Sequence, residues 1–265
     1  VNKKGRLLFY KSTDLVGWEY LNFAEKDNMG WMWECPDYFE TDGKGVIMFS
    51  PMGFLKDEKP YDSVAICALA DFCEETGEMN ISDNWQLIDC GEDLYAPQSN
   101  VDKDGNRVII AWARMSEPFE KNRIGIYCIP RVTEVRNNHI YFRPHPNAVS
   151  LFTRKISSPT EAGEGGYRLS LDMKNGDTIN IGGYKLLREN DCIKADRTEV
   201  FAGHTEIKCV FETPEIKEGD HLDIYVDPNL IEVYINNGEY VLTNTVYGLS
   251  NEIKAENYEL YAVSK

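Results

Sequence analysis

The amino-acid sequence predicts an all-β fold, small antiparallel sheets followed by a β-sandwich, and three observations predict it. Short runs rich in Val, Ile, Tyr, Phe and Trp recur along the chain. Turn signals separate them, at Asp42-Gly43, Asp104-Gly105, Asn137-Asn138 and Asn236-Asn237-Gly238. No stretch carries a helical period with caps, and segment 68–79 has room for one helical turn and no more.

Taken in order, strands are expected at 6–10, 45–50, 63–69, 107–114, 139–142, 221–226 and 230–235. A weak repeat accompanies the first half. Ser12-Thr13-Asp14 precedes Trp18-Glu19-Tyr20, and Ile81-Ser82-Asp83 precedes Trp85-Gln86-Leu87. A polar turn before a Trp-led strand suits propeller blades, and unrelated hairpins would show the same pattern. Pro144-His145-Pro146 breaks the strand pattern, and Ser157-Ser158-Pro159 with the glycines at 163–166 reads as linker. The expected division is therefore a propeller part at 1–148, a linker at 149–166 and a sandwich at 167–265, where apolar and polar residues alternate in short strands.

The 265 residues suffice for one large β domain or two ordinary ones, and apolar residues at 42% can fill their cores. A formal net charge of −16 repels phosphate backbones and anionic lipids, which argues against nucleic acid or membrane partners. No apolar run reaches the roughly 20 residues of a spanning helix. Seven scattered cysteines without a C-x-x-C pair, and four isolated histidines, fit reduced, buried thiols in a cytoplasmic protein better than a metal site or a disulfide framework.

The densest chemistry is Trp31-Met32-Trp33-Glu34-Cys35-Pro36-Asp37. Aromatic faces stack on sugar rings, and an apolar wall raises a carboxylic acid's pKa by desolvation, as a general acid for glycosidic oxygen requires. A turn with a solvated Glu and two core tryptophans would read the same way.

Trp-Glu-Cys-Pro-Asp closely resembles the Glu-Cys motif of glycoside hydrolase family 32, the invertases, levanases, inulinases and sucrose-phosphate hydrolases. Further segments fit in order: 5–20 before the motif, 45–51 after it, Asp93-Leu94-Tyr95-Ala96-Pro97-Gln98-Ser99, Ile109-Ile110-Ala111-Trp112, and the hairpin 225–239. Residues 167–210 match loosely. The resemblance implies a partial five-bladed β-propeller followed by a β-sandwich. It implies a retaining β-fructofuranosidase-like hydrolase acting on sucrose or fructo-oligosaccharides, with no cofactor and no metal. Glu34 is then the acid/base. Trp33, Asp93, Tyr95 and Trp112 are the candidate substrate-binding residues, with core packing or turn capping as the alternative for each. Cys35 either tunes the site or fills space, and Asp37 is expected to order the strand.

The family's nucleophile, an Asp in a Trp-Met-Asn-Asp-Pro-Asn-Gly-like motif, has no match, nor has its Arg-Asp-Pro motif. The nearest string, Ala113-Arg114-Met115-Ser116-Glu117-Pro118, lacks an Asp at the matching point and lies after Trp112. The chain is thus expected to start after the first blade and part of the second, as a fragment or as a short protein. A homodimer would cover the open seam that this leaves. Two functions follow: the acid/base half of a fructoside hydrolase, or a non-catalytic carbohydrate-binding relative.

Overall fold

The computed structural model describes residues 4–56, 59–61, 63–119, 123–204, 206–217 and 219–264. Three antiparallel units make up the first half. The hairpin β1 (Arg6–Lys11) and β2 (Glu19–Glu25) forms a two-stranded sheet. A four-stranded meander follows, ordered β3 (Met32–Thr41), β4 (Lys44–Met52), β7 (Ile66–Cys73) and β8 (Glu78–Leu87). The small hairpin β5 (Phe54–Lys56) and β6 (Lys59–Tyr61) is inserted between β4 and β7. The next sheet centres on β10 (Arg107–Phe119), with β9 (Leu94–Val101) along one edge. Its other edge carries β11 (Arg123–Tyr127) and then β12 (Arg131–Arg136), and β13 (His139–Pro144) closes the sheet. Small antiparallel sheets of this kind, one of four strands and one of five, are the material from which propeller blades are made.

The turns follow the side chains. Asn137 and Asn138 both take positive φ, as do Asn236, Asn237 and Gly238, which the right-handed twist of a tight hairpin demands. Segment 68–79 holds no helix: β7 runs to Cys73, a turn follows, and β8 begins at Glu78. The two members of the sequence repeat also differ. Trp18 is exposed ahead of β2, whereas Trp85 lies within β8 and meets Phe54 edge-on at 4.7 Å.

The second half is two packed sheets. One is ordered β14 (Phe152–Ile156), β24 (Glu259–Val263), β15 (Tyr167–Asp172), β20 (His221–Asp227), β21 (Leu230–Ile235) and β22 (Tyr240–Thr245). The other is ordered β19 (Val210–Glu212), β18 (Cys192–Asp196), β17 (Tyr184–Glu189), β16 (Thr178–Ile181) and β23 (Ile253–Lys254). Leu169, Ile181, Leu186, Ile193, Leu222, Ile224, Ile231 and Val233 fill the space between them. The expected linker at 149–166 is corrected here. Its residues Phe152–Ile156 form an edge strand of the larger sheet, with Ile156 buried against the sandwich core. A strand partner more than a hundred residues downstream cannot be read from local Ser, Pro and Gly content.

The two halves share a continuous core. Ile88, Leu94, Ile109, Ala111, Cys128, Ile140 and Phe142 pack with Tyr225, Leu230, Tyr234 and Val241 of the sandwich. Charged groups are sealed into the same contact. Arg131 is 1% exposed and bonds Glu232 at 2.9 Å, Asp89 at 2.9 Å and the Thr243 hydroxyl at 2.6 Å. The Tyr234 hydroxyl and the Ile129 amide donate to Glu232 at 2.9 and 2.7 Å. No described helix is long and apolar enough to cross a membrane.

Candidate active site

Two β-bulges build the site. In β3, Glu34 pairs with Ser50 and Asp37 with Met48, so β3 spends three steps against two of β4. The extra residue gives Cys35 a positive φ of 50°. In β9, Tyr95 pairs with Trp112 and Gln98 with Ile110, again three steps against two. Here Ala96 takes φ 49°. Each bulge places a left-handed residue directly after the functional one and a proline, which has no N–H to lose from a ladder, after that. A bulge re-aims the side chain beside it, and these two aim Glu34 and Tyr95 at each other.

The phenol of Tyr95 donates a short hydrogen bond to Glu34 Oε2. Burial, then that bond and the Glu34 charge, push the Tyr95 phenol far above its ordinary pKa, so it remains a donor at any working pH. Arg114 lies over the Tyr95 ring at 5.1 Å and donates to the carbonyls of Ser63 and Glu92 at 2.9 and 3.2 Å. Trp112 stands in register between Tyr95 and Tyr127, edge-on to the Tyr95 ring at 6.4 Å, and keeps 40% of its surface exposed. Gly125 makes that pose possible, because a Cβ there would run into the Trp112 indole. Paired positions on neighbouring strands share a face, so Tyr95, Trp112 and Tyr127 form one aromatic row beside the carboxylate.

β3 and β9 belong to different sheets, and polar side chains lock them together. Gln98 donates to the Cys35 and Pro97 carbonyls at 3.2 and 2.9 Å, spanning both bulges. The Ser99 amide donates to Asp37 at 2.7 Å, which gives Asp37 the ordering part expected of it. The Ala96 amide donates to the Ser50 hydroxyl at 3.2 Å.

Glu34, Tyr95 and Trp112 are therefore brought together, and two other expected residues are not. Trp33 is 6% exposed; its indole N–H donates to the Met29 carbonyl at 2.6 Å and its ring stacks on Phe49 at 4.3 Å. It is core, while Trp31, two residues earlier, is the exposed tryptophan. Asp93 is also withdrawn from any sugar. Its carboxylate accepts from both terminal nitrogens of Arg197, from the Thr245 amide at 2.7 Å and from the Thr245 hydroxyl at 3.0 Å. Sequence reasoning did not single out Gln98 or Arg114 as functional. Their signal was position alone: each lies beside a candidate on β9 or β10. Among the described residues no group of three or more His, Cys, Asp or Glu is placed to hold a metal ion.

The site is a bulged carboxylate held by a phenol and flanked by exposed aromatics in an all-β protein, and comparison with known proteins supplies the family. The profile of the glycosyl hydrolases family 32 N-terminal domain matches residues 1–144, and that of the family 32 C terminal matches residues 141–264. The chain belongs to glycoside hydrolase family 32. Sucrose-6-phosphate hydrolase of Vibrio alginolyticus is 26% identical over 269 residues, covering 92% of this chain and 54% of that protein. The Staphylococcus xylosus sucrose-6-phosphate hydrolase is 28% identical over 287 residues, covering 93% and 56%. The chain thus spans about half the length of these curated relatives. Among solved structures, a Bombyx mori β-fructofuranosidase superposes with TM-score 0.83 at 22% identity, covering 99% of this chain and 61% of that one. Sucrose-6-phosphate hydrolase from Lactobacillus gasseri gives TM-score 0.82 at 22% identity, with the same coverage. At that identity the likeness shows the fold, a β-propeller part followed by a β-sandwich.

Proposed function

We propose that these residues form the acid/base half of a retaining β-fructofuranosidase site for sucrose-type substrates. The observation that carries the reading is Glu34, aimed by its bulge, held by the Tyr95 phenol and bordered by Trp112. In the first step Glu34 gives its proton to the glycosidic oxygen as the bond to the fructosyl anomeric carbon breaks. A second carboxylate attacks that carbon and forms a covalent fructosyl intermediate. In the second step Glu34, now a carboxylate, takes a proton from the water that releases fructose. Retention needs the two carboxyl groups about 5–5.5 Å apart. Seven free thiols, with Cys67 and Cys128 raised by burial, support a reducing, cytoplasmic setting. The exposed apolar side chains Leu8, Tyr10, Tyr20 and Phe23 on β1 and β2 support a homodimer, and sedimentation velocity tests it.

Fructose release from sucrose, sucrose 6-phosphate and a short inulin, measured beside Glu34→Gln, tests the assignment. Where the wild type turns over, the variant is expected to lose roughly 10²- to 10⁴-fold on these substrates. Where an attacking carboxylate completes the site, it should keep the first step on a fructosyl fluoride, whose leaving group needs no proton. Equal sucrose turnover by both proteins rules Glu34 out as the acid. A second reading, a non-catalytic fructan binder, draws on the exposed Trp112 and Tyr127; calorimetry showing fructan binding without release would select it.

A further inference from the structure

We infer that the sandwich domain positions the acid/base through an Arg197–Asp93 clamp, a role that rests on the catalytic reading of Glu34. The argument runs along one short segment. Asp93 stands two residues before Tyr95, directly ahead of β9, the edge strand paired with β10. Its carboxylate is saturated by sandwich groups: both terminal nitrogens of Arg197 and the amide and hydroxyl of Thr245. Its own carbonyl accepts from the Arg114 amide at 2.9 Å, and that arginine lies over the Tyr95 ring. Asp93 is thereby fixed from the sandwich on one side and from β10 on the other.

Arg197 is itself immobilised. It is 2% exposed, donates to the Lys208 carbonyl at 3.0 Å and the Thr245 carbonyl at 2.9 Å, and lies over the rings of Phe201 and Phe211 at 5.1 and 4.9 Å. A planar guanidinium gripping a carboxylate through two nitrogens sets direction as well as distance.

The backbone shows why a clamp is needed. Glu92 and Ala96, which bracket Asp93 to Tyr95, both take positive φ, at 63° and 49°. Non-glycine residues hold that conformation at a cost, and only where the surroundings over-determine it. Asp93 anchors the stretch at one end, and the Ala96 amide bonded to Ser50 anchors it at the other. Between the anchors sits the phenol that holds Glu34. Asp93 and Arg197 are therefore positioning residues: neither faces substrate, and both act through Tyr95.

The test places 3-fluorotyrosine at position 95 of the full chain and reads its fluorine chemical shift. Three variants are compared: Glu34→Gln, Arg197→Met and the near-isosteric Asp93→Asn. The last keeps the Thr245 contacts within reach and covers the case in which Arg197→Met fails to fold. Arg188→Gln, which breaks a sandwich ion pair with Asp220 remote from this segment, controls for general destabilisation. The expected result is that Asp93→Asn moves the resonance in the direction set by Glu34→Gln, while Arg188→Gln leaves it in place. An ordinary structural ion pair would lower the melting temperature of Asp93→Asn without moving the resonance, and that result overturns the inference. Turnover is read separately. Displacing a catalytic group by about 1 Å costs roughly 100-fold, so sucrose hydrolysis should fall by that order in kcat with KM little changed. A resonance that moves while wild-type turnover is absent upholds the clamp, because the fluorine shift reads the Tyr95–Glu34 geometry without needing the attacking carboxylate.

Discussion

The interior of the sandwich and the contact between sandwich and propeller part are both buried, and they are built from opposite materials. The sandwich interior is aliphatic: Leu169, Leu186, Leu222, Ile224, Ile231 and Val233 meet across two sheets. The domain contact buries Asp89, Asp93, Arg131, Arg197, Glu232, Thr243, Asn244 and Thr245 amid its apolar side chains. Apolar packing is tolerant of direction. Buried charges are not, because each must find its partner at a set angle or remain unpaired at high cost. The sandwich interior thus supplies stability, and the domain contact supplies orientation to the segment that carries Tyr95.

That contrast can be broken at four places, in descending order of effect. Arg131→Met leaves Asp89 and Glu232 buried and facing each other without their cation, and should cost about 3–5 kcal/mol in urea unfolding. Replacing Asp89 and Glu232 by apolar residues in the same chain should recover most of that loss, which would show that the network serves orientation more than stability. Leu222→Ala, at a fully buried core position, should cost about 3 kcal/mol and leave the position-95 fluorine resonance unmoved. Tyr184→Phe removes a 2.7 Å hydrogen bond to Asn244, whose amide also reaches the Gly91 carbonyl at 2.9 Å. About 1 kcal/mol is expected, because a buried acceptor loses its donor. The smallest effect is electrostatic and exposed. Hydrogen bonds from Asn106, then from His145, hold the Asp102 carboxyl well below the usual range in the turn between β9 and β10. A depressed folded-state pKa stabilises above the unfolded value near 3.9 and loses that contribution as pH falls toward the folded value. Asp102→Asn should flatten the acid limb of a melting-temperature profile below about pH 4 and change little at neutral pH.

The same division explains what could be read from the sequence. The strands, the tight turns and the bulged candidate carboxylate Glu34 were legible because they depend on neighbours within a few residues. Glu34 and Tyr95 each precede a residue-proline pair, and that local chemistry makes the bulge. Trp33 was misassigned because its burial depends on Phe49 of the adjacent strand and on a carbonyl at Met29. Asp93 was misassigned because its partner Arg197 lies in the other domain, 104 residues on. The strand β14 was taken for linker because its ladder partner is β24. Each error concerns a contact made across the fold, where residue type restricts the choice of partner without selecting one.

The placement of β24 has a consequence for biosynthesis. This strand inserts between β14 and β15, so the edge strand β14 has no neighbour in the six-stranded sheet until residues Glu259–Val263 exist. Domains mature as units while the chain emerges from the ribosome. The propeller sheets can pair as they are made, but the sandwich must wait for its last strand. Arg197 belongs to that waiting domain, so its grip on Asp93, two residues from Tyr95, forms only once β24 has been made.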